Sequence, residues 1–130
     1  MSEHKGRSLE VPGVSHGNAP IPMGARVGNM IFSSGIMGKN PATNSLPPDV
    51  ASQAKFAFEN MEALLHAGGA GLANLARMTV FIKDESARAA VNEQWLKRFP
   101  DPQDRPARHT LTYDLQGGML VQLEIVAVIS

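Results

Sequence analysis

Cysteine is absent from all 130 residues. Its absence excludes a disulfide framework, a thiolate nucleophile and any zinc site with sulfur ligands. Strong charge of either sign is also missing: twelve Lys/Arg balance twelve Asp/Glu, and no basic run exceeds two residues. The electrostatic footprint of a nucleic-acid binder is therefore lacking. No apolar stretch approaches the roughly 18 residues of a membrane span. The N-terminal run Met1 to Arg7 is polar and leads into no apolar segment of a signal peptide. These absences point to a soluble cytoplasmic protein with no nucleic-acid and no membrane partner. The histidines, His4, His16, His66 and His109, have no metal-binding spacing with one another or with a carboxylate motif. No metal and no cofactor is expected.

What remains is enough for one domain with a single core, residues 1–130. Residues 1–22 are rich in Gly, Pro, His and Asn and read as an irregular arm. Ala25 to Val27 and Met30 to Ser34 flank Gly28-Asn29 as a hairpin. A proline-bearing loop follows from Gly38 to Pro48. Asp49 then caps a helix with the apolar stripe Val50, Ala54, Ala57/Phe58, Met61 and Leu64/Leu65. The run Gly68-Gly69-Ala70-Gly71 follows this helix instead of preceding one, so it reads as a C-cap and turn, not as a phosphate loop. Leu75 to Ile82 is strand-like. Asp84 or Ser86 caps a second helix, striped by Ala87, Val91, Trp95 and Phe99, with Pro100 just beyond it. Trp95 and the methionines Met61, Met78 and Met119 lie on these stripes and read as core. A final hairpin completes an α+β sheet with helices on one face.

The chemistry concentrates in that last hairpin. Polar residues occupy the even positions of both expected strands: Arg108, Thr110 and Thr112 on one, Gln122 and Glu124 on the other. A three-residue loop near Gln116-Gly117-Gly118 keeps the even positions on one face and makes Arg108 and Glu124 neighbours. Two readings follow. The pair either neutralises itself, as buried charges usually do, or forms a site in which Arg108 grips a small carboxylate bidentately and Glu124 handles a proton or a water. A lone charge in an otherwise apolar strand favours the second reading. His109 is turned to the opposite face. The helices cover the odd face, and the polar-dotted even face is expected to meet another subunit.

Several spaced motifs also occur in order: Val27-Gly28-Asn29-Met30-Ile31-Phe32-Ser33-Ser34-Gly35, Met78-Thr79-Val80-Phe81-Ile82-Lys83-Asp84, Val91-Asn92-Glu93, Arg105-Pro106-Ala107-Arg108 and Leu123-Glu124-Ile125-Val126-Ala127-Val128. Together they resemble the RidA/YjgF family from about Ala19 onward. The resemblance implies a chorismate-mutase-like mixed sheet with two helices packed on one face, and a homotrimeric barrel with clefts between subunits. It also implies hydrolytic deamination of small reactive enamine or imine carboxylates, of the 2-aminoacrylate or 2-iminobutyrate type, to 2-keto acids and ammonia.

The family's site residues carry over onto Arg108 and Glu124 as catalytic positions, with Asn92 and Ser34 as substrate contacts. Three positions depart from the pattern. A tyrosine of the family falls on Ile21, a cysteine on Thr110 and a glutamine on Ile36. With Ile21 and Ile36 in place of polar groups, a more apolar substrate pocket is expected. Asn92 also reads as an ordinary polar residue on a helix flank, Ser34 as a turn hydroxyl and Thr110 as a strand residue sharing Arg108's face. Three alternatives to the general deaminase stay open. They are a non-catalytic module that binds or senses a small carboxylate, a deaminase specialised for a larger catabolic intermediate such as an aminomuconate, and a ribonuclease, which the charge balance disfavours.

Overall fold

In the computed structural model, which describes residues 6–130, a seven-stranded mixed sheet carries two helices on one face. The strands are β1 (Ser8–Leu9), β2 (Gly24–Val27), β3 (Met30–Ser33), β4 (Ile36–Met37), β5 (Leu75–Ile82), β6 (Ala107–Thr112) and β7 (Val121–Val128). The helices are α1 (Val50–Ala67) and α2 (Arg88–Arg98). His4 lies outside the described residues. The arm is less irregular than its composition suggests. Ser8–Leu9 pairs with β2, and Leu9 packs against the core.

Local chemistry sets the helix ends. The Asp49 carboxylate accepts the Ser52 amide at 2.9 Å, which holds its pKa below the usual carboxylate value. At the other end Gly69 adopts φ +82°, a left-handed conformation natural to glycine. Two nested bonds close the turn, Ala70 N to Leu65 O at 2.8 Å and Gly69 N to His66 O at 3.0 Å. Of the two expected caps for the second helix, Asp84 does the work. Its side chain accepts the Ser86 amide and starts the short 3-10 turn Glu85–Ala87 that runs into α2.

The core lies between the helices and the sheet, where Phe58, Met61, Leu64 and Leu65 of α1 meet Met78, Val80, Leu123 and Ile125. Two buried polar side chains on α1 are fully engaged. Gln53 donates to Pro47 O and Gly118 O and accepts from Leu120 N; Asn60 donates to Met37 O and Lys39 O. They tie the segment between β4 and α1 and the loop before β7 to one helix.

The expected C-terminal hairpin does not form. The strand order is β1-β2-β3-β7-β5-β6, with β4 also on β7, so β5 lies between β6 and β7. β6 runs parallel to β5 after the α2 crossover, and β7 runs antiparallel to β5. The physical reason lies in burial. β5 and β7 each bury every second residue and take neighbours on both sides, whereas the short, mostly exposed β6 suits an edge.

Candidate active site

Insertion of β5 between the two strands reverses one expectation. Arg108 pairs with Met78, and Glu124 pairs with Thr79. Consecutive residues of a strand point to opposite faces, so Arg108 lies on the helix face and Glu124 on the open one. The two are therefore not neighbours within a chain, and the self-neutralising pair is excluded with them. Glu124 is also exposed, not buried as its strand suggested.

On the helix face, Arg108 is half-buried and its guanidinium carbon stands 5.1 Å from the centre of the Trp95 ring. Its Nε donates to Thr110 Oγ1 at 2.9 Å. Among the described residues no carboxylate lies within ion-pair distance of it, and neither terminal nitrogen is bonded. Burial lowers its pKa from the ordinary arginine value, and the charge of Arg88 adds to that; the group stays cationic. An unneutralised, stacked guanidinium with both outer nitrogens open can accept a planar anion in bidentate fashion.

Beside it, Arg88 holds Glu85 through Nε to Oε1 at 3.0 Å and Nη2 to Oε2 at 3.3 Å. The Thr112 hydroxyl donates to the same Oε2 at 3.0 Å. These bonds, that of Arg88 foremost, keep the Glu85 carboxyl below its usual pKa. Asn92 is exposed on α2, one turn before Trp95 and on the same side.

The open face carries Glu124, Gln122, Thr79 and Phe81 in register, and His109 opposite Thr79. Here a hollow of about 680 Å³ is lined by Phe81, Tyr113, Leu115, Met119, Gln122 and Glu124. A Cβ on Gly35 would come within 2.9 Å of the Gln122 side-chain amide, which would have to shift to admit it. The Gly35 carbonyl accepts from His16 Nε2 at 2.9 Å, which straps the N-terminal arm to this segment.

The other expected site residues divide. Ser34 sits beside Gly35, but its hydroxyl donates to Pro22 O at 2.7 Å and its amide to Met23 O at 2.9 Å, so it braces the arm. Ile21 is 50% exposed. Ile36 does not line a pocket: it pairs with Leu123 and is wholly buried in the core, because β4 turns it toward the helices. Thr110 orients Arg108 and has its hydroxyl engaged in doing so. Sequence reasoning missed three residues. Trp95 was assigned to the core by its stripe, and it is core on one side and a platform for Arg108 on the other. Gln122 stood out only as an even polar position, and Tyr113 gave no signal.

A sequence profile for the family described as Endoribonuclease L-PSP matches residues 19–129. The chain is 33% identical over 111 residues to the 2-iminobutanoate/2-iminopropanoate deaminase of Escherichia coli, covering 84% of this chain and 87% of that one. It is 37% identical over 89 residues to a RutC family protein of Pasteurella multocida, covering 65% and 69%. The crystal structure of Escherichia coli TdcF with bound serine superposes with a TM-score of 0.85 at 30% identity, over 95% of this chain and 99% of that one. A mixed sheet of this topology and matches over most of the chain agree with the motifs around Arg108 and Glu124, and the chain belongs to the Endoribonuclease L-PSP, or RidA/YjgF, family.

Proposed function

We propose that the protein hydrolyses small imines or enamines bearing a carboxylate to 2-keto acids and ammonia, as the Escherichia coli relative's name describes for that protein. The observation that carries this reading is the unpaired, ring-backed Arg108 with two open nitrogens. A carboxylate held there in bidentate fashion fixes the adjacent imine carbon for attack, and orientation supplies much of the acceleration. Water adds to that carbon, giving a carbinolamine. Loss of ammonia then leaves the keto group, and the proton from water passes to nitrogen. Glu124 orients the water and accepts its proton.

Because Arg108 and Glu124 lie on opposite faces of one sheet, a site that uses both draws them from two copies of the chain. The open face suits such an assembly. It exposes Phe32, Leu111, Tyr113 and Val128, apolar side chains that a second copy would cover. We assign it to the interior of a homotrimer with a site in each cleft. The ribonuclease in the family description finds no support in the neutral charge balance. A carboxylate-sensing role without turnover is favoured by one feature, Ile21 at the position of the family's tyrosine.

The test generates 2-aminoacrylate and 2-iminobutanoate in situ with a dehydratase and follows keto acid formation. Wild type accelerates it, and Arg108→Ala loses roughly a hundredfold or more of kcat/KM. No acceleration by wild type, with Arg108-dependent binding of the keto acid retained, would replace the deaminase with the sensing role.

A further inference from the structure

The residues around Arg108 explain why it is unpaired. Thr110 and Thr112 are two apart on β6 and share the face of Arg108, so their Cα atoms lie about 7 Å apart. One hydroxyl receives the Arg108 Nε, and the other donates to the Glu85 carboxylate. Arginine and carboxylate are thus each bonded to a threonine on the same face of one strand. Glu85 is bonded elsewhere, to Arg88 by two bonds and to Thr112 by a third. Every bond in this group that Glu85 accepts comes from Arg88 or Thr112, and none occupies an outer nitrogen of Arg108.

We propose that Arg88 and Thr112 are positioning residues that sequester Glu85, so that Arg108 stays available to an anionic ligand instead of being neutralised by its own chain. This rests on the reading of Arg108 as the carboxylate clamp. Removing either restraint lets Glu85 swing to Arg108 and compete with the incoming carboxylate. Substrate affinity falls, while the geometry of the bound state and the chemical step are untouched.

The probe is 2-oxobutanoate, a small 2-keto carboxylate, titrated into the full-length protein by calorimetry. The fluorescence of Trp95, the chain's one tryptophan, gives a second readout. Arg88→Ala weakens binding about threefold to fivefold, the range of an exposed ion pair. Thr112→Val weakens it about twofold although it changes no charge. Glu85→Gln in either background restores wild-type affinity, and with imine substrate both single variants raise KM and leave kcat unchanged. Unchanged binding in Thr112→Val, or a loss in Arg88→Ala that Glu85→Gln does not restore, overturns the inference. Arg108→Ala separates the two levels: if it abolishes binding while the other variants bind normally, the clamp stands and its protection by Arg88 and Thr112 falls. If it binds as wild type does, the clamp fails and the inference fails with it.

Discussion

The two faces of the sheet differ in how complete they are. On the helix face, Arg108 has a ring behind it, a hydroxyl on Nε and a restrained acid beside it, all supplied by the same chain. On the open face, Glu124 is exposed and its carboxylate makes no hydrogen bond or ion pair with any described residue, beside a broad hollow and exposed apolar side chains. One face carries an arginine held by its own chain, and the other leaves its glutamate and apolar side chains uncovered. The contrast teaches that the two residues are held by different means: packing against α2 orients the arginine, whereas nothing in the same chain encloses the glutamate; on the proposed reading, assembly does.

The sharpest way to break this contrast is to separate the two residues between chains. Glu124→Gln is expected to lower kcat about a hundredfold with little change in carboxylate affinity, as for loss of a general base. When it is refolded together with Arg108→Ala, random mixing makes about a quarter of the inter-chain sites wild type, and activity returns in that proportion. If the mixture stays as inactive as its parents, Arg108 and Glu124 do not act across subunits.

A smaller effect tests the helix face alone. Trp95→Leu keeps an apolar residue in the core but removes the ring beneath the guanidinium. KM should rise about threefold to tenfold while kcat holds, in line with a partly desolvated cation–π contact. A fall in kcat with KM unchanged would mean that Trp95 serves the chemistry and not the clamp.

The smallest effect concerns neither face and serves as a control. Asp49 has a folded pKa below its unfolded one, held there by the Ser52 amide, so its contribution is present above the ordinary carboxylate range and lost as pH falls through the folded value. Asp49→Ala should lower the melting temperature at neutral pH, the gap to wild type should narrow in acid, and KM should not move. A KM that shifts with this cap would show that α1 communicates with the site.

Where the sequence could be read, it was read from local patterns. The hairpin at Gly28-Asn29, the Asp49 cap, the Gly68-Gly69 stop and the stripes of both helices follow from short-range rules, in which neighbours a few residues apart decide the outcome. Arg108 stood out because its residue type and motif were local too. What failed was pairing. Alternation established that Arg108 and Glu124 each sat on the polar side of its own strand, but nothing in either strand says which partner lies between them. β5 is about 30 residues upstream of β6 in the chain, and its insertion turns one polar side toward the helices and the other away. Trp95 escaped for a similar reason, since a stripe shows that a residue is buried and not what it is buried against.

By itself, then, the sequence determined the elements, their caps, the family motifs and the residue types able to hold a carboxylate, because these depend on chain neighbours. Only the tertiary structure decided that arginine and glutamate occupy opposite faces and that Trp95 stacks on the first, because strand order and face are set by which apolar surfaces find each other across long stretches of chain.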